Sequence, residues 1–167
     1  MRVAVCALNG QSGHEAGRSL LQKLYREETG EALPEIRISR RGKPYFPDSP
    51  FYFSISHTPK HAFCVLARTR VGIDAEELER TIHPRLIERA FSPAERERVM
   101  HTSDPYVALL TLWVLKEADA KRTGEGLRGF PNHTDFRPED RRVRQWAGCV
   151  VAIVADSEEE GVIYHAF

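Results

Sequence analysis

The sequence predicts an α+β fold. Three observations lead there. Short apolar runs alternate with period two, as strands do. Two longer stretches carry apolar residues at helical spacing. The order strand, helix, strands appears once before residue 68 and again after it. The chain has 167 residues, enough for one sizeable domain or two small halves sharing a core.

The elements follow in order. Met1–Leu8 is an apolar run too short for a signal peptide and reads as a strand. Ser12-Gly13-His14-Glu15 has the capping-box pattern. Ala16, Leu20, Leu21, Leu24 and Tyr25 then recur at helical spacing, with Gly30 as the stop. Ile36 and Ile38 suggest a short strand, and Gly42-Lys43-Pro44 a turn. Phe51, Phe53 and Ile55 alternate with Tyr52, Ser54 and Ser56, a strand ending at His57. Ala62–Ala67 and Val71–Glu76 read as two more strands joined by a polar turn. Ser92-Pro93-Ala94-Glu95 is a second capping box, with proline at the first helical position. Asp104-Pro105 opens the longest helix, which is apolar nearly all round and therefore expected to be buried. Its polar end, Lys116 to Lys121, should emerge at a cleft edge, and Gly124 and Gly126 should end it. Arg137–Arg144 reads as a polar stretch. Trp146–Ala155 and Val162–Phe167 read as a closing antiparallel pair around the acidic turn 156–161.

Composition narrows the function classes. Lys and Arg balance Asp and Glu at 24 each, so bulk charge points to neither nucleic acid nor a membrane surface. No run of apolar residues is long enough for a membrane span. Cys6, Cys64 and Cys149 lie singly in apolar runs with no C-x-x-C pair, which predicts buried reduced thiols and a cytoplasmic protein.

The residues that carry chemistry are acids. On a strand, Asp74 and Glu76 point to one face while Ala75 and Glu77 point to the other. On the helix, Glu117 and Lys121 are neighbours one turn apart. Three carboxylates with adjacent lysines suit Mg²⁺, which takes oxygen ligands and shares its shell with water and a substrate phosphate. The competing description is a solvated strand end and an ordinary helix salt bridge. Lone carboxylates would repel one another, and the apolar residues leading into both runs bury the backbone and leave the acids at its edge.

An ordered set of short motifs goes further: Gly42-Lys43-Pro44, Ile55-Ser56-His57-Thr58, Gly72-Ile73-Asp74-Ala75-Glu76, Phe91-Ser92, Trp113 with Lys116-Glu117-Ala118, then Lys121 and Gly124-Glu125-Gly126-Leu127. Each is weak alone; together, over roughly residues 15–130, they resemble the 4′-phosphopantetheinyl transferases of the surfactin-synthetase-activating type. The resemblance implies two pseudo-symmetric α+β halves around a shared cleft. Residues 1–67 would hold coenzyme A contacts, and 68–167 the metal site and the carrier-protein cleft. It implies a holo-[acyl-carrier-protein] synthase reaction. The phosphopantetheine group of coenzyme A passes to a serine of an acidic acyl or peptidyl carrier protein, and adenosine 3′,5′-bisphosphate leaves.

Residue by residue, the resemblance makes Asp74, Glu76 and Glu117 ligands of Mg²⁺, with Mn²⁺ as an alternative. Glu117 and Lys121 would be catalytic. Lys43, Ser56, His57, Lys116 and Arg41 would contact coenzyme A, Lys116 as the weaker candidate beside Lys121. Phe91-Ser92 and Trp113 are expected to be structural. His61, His83, His101 and His133 lack metal-ligand spacing. One departure stands out: longer members hold the 3′-phosphate with a basic segment ahead of the first long helix, and its lysines have no counterpart here. Only Arg18 matches, so coenzyme binding is expected either to be weaker or to be supplied by Arg40 and Arg41. A monomer is expected. A non-catalytic carrier-binding module and an arginine-based nucleic-acid domain are the competing functions. The retained acids with Lys121 argue against the first, and zero net charge against the second.

Overall fold

A computed structural model describes residues 1–126, 134–157 and 162–167. Helices and strands are mixed, as expected of an α+β chain. The elements are β1 (Arg2–Ala7), α1 (Gly13–Thr29), β2 (Arg37–Ile38), β3 (Pro44–Tyr45), β4 (Tyr52–His57), β5 (His61–Ala67) and β6 (Val71–Glu77). They continue with α2 (Pro84–Ala90), α3 (Pro93–Met100), α4 (Pro105–Thr123), β7 (Val143–Trp146), β8 (Cys149–Ala155) and β9 (Ile163–Ala166).

Two sheets lie face to face, each with one long helix on its outer side. The first has strand order β4-β5-β1-β9 and the second β6-β8-β7. Period-two alternation explains the layering. Val3, Val5, Phe63, Val65 and Ala67 of the first sheet meet Val71, Ile73, Ala75, Cys149 and Val151 of the second in one apolar layer. The intervening positions turn outward. Ala4, Ala62, Cys64 and Leu66 pack on Leu20, Leu21 and Leu24 of α1. Val150, Ala152 and Val154 pack on Leu110, Val114 and Ala118 of α4. Strands covered on both faces read as continuous apolar runs, which is why β5 and β8 do.

Both long helices start and stop where their sequences say. Ser12 and Glu15 form a reciprocal capping box, and Gly30 ends α1 in the left-handed region at φ 76°. Asp104 caps α4 through the Val107 N–H, and Gly124 ends it at φ 74°. Ser92 and Glu95 cap α3 reciprocally. The short helix α2, capped by His83 with Pro84 in its first turn, has no periodic signature long enough to read.

The polar turn at 68–70 joins β5 to β6, as expected, and carries the chain from one sheet to the other. Two expectations are corrected. The 146–155 run is broken at Ala147 (φ 53°) and Gly148 (φ 71°), a tight turn that makes β7 and β8 the antiparallel pair. Part of the polar stretch, Val143-Arg144, is thereby a strand. The C-terminal run pairs not with β8 but in parallel with β1, Arg2 opposite Ile163 and Val5 opposite Ala166. A strand from the second half thus completes the sheet of the first. Of the thiols, Cys64 and Cys149 are buried and Cys6 only partly so. Residues 158–161 of the acidic turn, Leu127 and His133 lie outside the described residues.

The edge of β6 is closed in an uncommon way. Its partner on one side is β8; on the other lies β4 of the other sheet. The Ile73 N–H donates to Ser54 Oγ at 3.1 Å and the Ala75 N–H to Ser56 Oγ at 3.3 Å. Two hydroxyls thus replace a backbone ladder and join the sheets along one seam. An edge strand's exposed donors are satisfied this way without a new strand.

Candidate active site

The seam between β4 and β6 is where the acids gather. Gly72, Asp74 and Glu76 share one face of β6, and it is the face α4 covers. A Cβ on Gly72 would fall 1.9 Å from the Ala118 carbonyl oxygen and 2.6 Å from the Arg122 nitrogen. Only glycine lets the helix backbone lie this close to the strand. That approach brings Lys121 Nζ to 2.7 Å from Asp74 Oδ1. Ser56 Oγ donates to the same oxygen at 2.9 Å, and Lys121 Nζ also donates to Ser56 Oγ at 3.1 Å. Asp74 itself is buried. Glu76 Oε1 accepts from the Trp113 indole N–H at 3.3 Å, and Arg80 Nε stands 3.8 Å from Oε2. Trp113 is therefore a core residue, as its apolar setting suggested, that also orients an acid.

Glu117 lines the adjoining cleft with Lys121. The cleft has a volume of about 270 Å³; Arg41 and Lys43 from the β2–β3 hairpin and Phe53 to Ile55 of β4 form its other walls. Burial first, then the negative charges of Asp74 and Glu76, push the Glu117 carboxyl up to about 7, against a smaller opposing pull from Lys121. Burial and Asp74 also raise Glu76. Among the described residues no three acid, histidine or cysteine side chains close around one point. The chemistry of the donors fits a hard divalent cation: all are oxygens, burial and neighbouring carboxylate charge push Glu76 and Glu117 up, and a positive charge nearby would offset that cost.

The other expected contacts divide. Arg41 is exposed at the cleft mouth, its Nη1 3.5 Å from Glu125 Oε1. Lys43 turns its ammonium onto backbone, donating to Arg122 O at 2.7 Å and Val71 O at 3.4 Å. Ser56 faces the Asp74–Lys121 pair. His57, exposed at the end of β4, lies over the first turn of α1, for a Cβ on Gly13 would sit 2.4 Å from its Cγ.

Lys116 does not reach the cleft. It points to the opposite side of α4, its side chain 1% exposed, and pairs at 3.0 Å with Glu95, which is 0% exposed. Its ammonium also donates to Thr134 O and lies over the rings of Phe91 and Phe136. Glu95 Oε1 accepts the Phe136 N–H at 2.9 Å, and Oε2 the Ser92 N–H at 2.8 Å. The reason is helical geometry: consecutive residues point about 100° apart, so Lys116 and Glu117 cannot serve one site. The local sequence marks Glu95 only as part of a cap; no local pattern signals a partner on another helix.

A sequence model described as the 4′-phosphopantetheinyl transferase superfamily matches residues 70–158. That stretch is more than half of the chain and contains Asp74, Glu76, Glu117 and Lys121. The chain belongs to this superfamily. It is also similar to a Haemophilus influenzae protein named "Putative 4′-phosphopantetheinyl transferase", with 29% identity over 116 residues. The match covers 66% of this chain and 49% of the relative, so the chain spans about half the length of the curated relative it matches. Superfamily membership makes a transferase fold the setting for these acids. No helix among the described residues is long and apolar enough to cross a membrane.

Proposed function

We propose that the chain transfers the 4′-phosphopantetheine group of coenzyme A to a serine of an apo carrier protein, releasing adenosine 3′,5′-bisphosphate. One observation carries the reading. Lys121 pairs with Asp74 of β6, and Glu117, one turn before it on α4, lines the cleft edged by Arg41 and Lys43. Phosphoryl transfer asks a protein mainly for positioning and for neutralisation of charge on phosphate oxygens, and this arrangement offers both.

Each side chain then has a role. Glu117, beside the cleft, takes the proton of the carrier serine as its oxygen attacks the pantetheine-side phosphorus. Lys121 sits between Asp74 and the cleft and holds a pyrophosphate oxygen. Asp74, Glu76 and Glu117 would hold Mg²⁺, or Mn²⁺ in its place, which when bound supplies positive charge to the pyrophosphate and its leaving group. Ser56 keeps Asp74 and Lys121 in register. Arg41 and His57 contact the coenzyme phosphates. We read the two helix-on-sheet units as pseudo-symmetric halves of the surfactin-synthetase-activating type. On this reading 1–67 supplies coenzyme contacts and 68–167 the acids and carrier cleft, in a cytoplasmic monomer whose carrier partner is acidic.

The test is mass spectrometry of a panel of apo carrier proteins incubated with coenzyme A and Mg²⁺. The expected result is a gain of one phosphopantetheine on at least one carrier, abolished by EDTA. No gain on any fatty-acid, polyketide or peptide carrier refutes the reading. A complementary measurement needs no turnover. Mg²⁺ should raise the melting temperature of the wild type and leave a protein carrying Asp74→Asn and Glu76→Gln unmoved. Equal shifts in both would remove these acids from metal binding.

A further inference from the structure

We infer that Lys43 is a positioning residue: its ammonium ties the last turn of α4 and the head of β6 to the β2–β3 hairpin, and so sets Lys121 against Asp74. The inference rests on the transfer reading above for its kinetic part only.

The geometry is specific. Lys43 follows Gly42, whose φ of 87° closes the hairpin turn, and the Ser39 N–H donates to Lys43 O at 2.9 Å. From there the side chain crosses the cleft. Its stem lies along Gly124, where an added Cβ would stand 3.2 Å from Lys43 Cδ. Its Nζ donates to Arg122 O at 2.7 Å and to Val71 O at 3.4 Å. Arg122 adjoins Lys121, and Val71 opens the strand that carries Asp74. One ammonium therefore bridges both elements that build the site, from the wall opposite.

The chemistry favours this use of a lysine. The last carbonyls of a helix lack intrahelical donors and form the negative end of its dipole. The α4 C-terminus meets one of them with Gly124 N–H to Ala120 O at 2.9 Å, and Lys43 meets another. Among the described residues no carboxylate pairs with Lys43. The charges facing it are Arg70 before β6 and Arg122 on α4, which oppose its charge, and Asp156 after β8, which favours it; Arg41 and Glu125 flank the same cleft mouth. Burial and the two arginines bring the ammonium down to about 8, so it still carries its proton at neutral pH. A lysine reserved for phosphate would gain nothing from spending its donors on two carbonyls.

The two roles separate experimentally. Lys43→Met keeps the stem and removes the donors; Lys43→Arg keeps a cation able to reach a carbonyl. Amide hydrogen exchange is read over residues 120–124 in the protein alone, and kcat and KM for coenzyme A in the transfer assay. Lys43→Met should speed exchange of 120–124 by ~10-fold or more. It should lower kcat by a similar factor while KM moves less than ~3-fold, because a misplaced Lys121 costs the transition state most. Lys43→Arg should restore most of both. Unchanged exchange in Lys43→Met, or a raised KM with unchanged kcat, overturns the positioning role and returns Lys43 to phosphate binding. If the wild type transfers nothing, the proposed function fails, and the exchange data still decide the tie.

Discussion

At the scale of the residue, Glu117 concentrates the strain of the site. Its carboxyl, ordinarily 4.5, stands at about 7 because burial and two neighbouring carboxylates oppose its charge. Over about pH 4.5 to 7 the folded protein therefore holds a proton that the unfolded chain has released. That stabilising contribution is full below about 4.5 and is lost as pH rises through about 7. Without divalent ions, the melting temperature of Glu117→Gln should vary less with pH than the wild type's across this window; identical profiles would show that Glu117 does not titrate there. The same variant, which keeps shape and loses charge, should transfer at least ~10²-fold more slowly while binding coenzyme A nearly as well. A wild-type rate would remove Glu117 from the chemistry. Lys116 invites the opposite expectation. Its side chain is buried on Glu95 instead of lining the cleft, yet Lys116→Met would strand the buried Glu95 charge and cost ~3–5 kcal/mol, seen as a lower denaturation midpoint. Adding Glu95→Gln, which removes the stranded charge and keeps one of the two acceptors, should recover part of that loss. If the double variant is no more stable than the single, the pair's charges are not what hold α3 to α4.

At the scale of the element, the site depends on how closely α4 lies on β6, and Gly72 sets that distance. Gly72→Ala would place a methyl group 1.9 Å from a helix carbonyl. The helix or the strand must shift, and a cost of ~3 kcal/mol is expected, together with a large loss of transfer activity. Unaltered stability would mean that the two elements yield without penalty. Much of this arrangement was legible in the sequence. Period two placed Asp74 and Glu76 on one face, period 3.6 placed Glu117 and Lys121 on neighbouring turns, and the caps at Ser12, Ser92 and Asp104 marked the helix starts. What could not be read were pairings between elements. The Ser54 and Ser56 hydroxyls serve the edge of a strand in another sheet, and Glu95 neutralises a lysine on another helix. The Lys43 ammonium leaves its own hairpin altogether. Local periodicity carries no information about partners so distant in sequence, and adjacent residues such as Lys116 and Glu117 looked alike until the helix rotated them apart.

At the scale of the molecule, the two sheets share one apolar layer, and the last strand belongs to the first sheet. In β9 the Ile163 N–H donates to Met1 O at 3.0 Å and the Phe167 N–H to Val5 O at 2.9 Å. Ile163→Pro would delete the first of these bonds and should lower the melting temperature without moving the acids around the cleft. An unchanged melt would show that β9 adds little to β1. The parallel pairing also bears on how the protein is made. While the chain is being synthesised, β1 can find β5 early, but its other edge stays open until β9 leaves the ribosome. Through all that time a row of unpaired amides beside Val3 and Val5 is available to any other extended chain. Nascent chains stalled before residue 163 should be held by chaperones or aggregate, while chains that carry β9 should do so less under the same conditions.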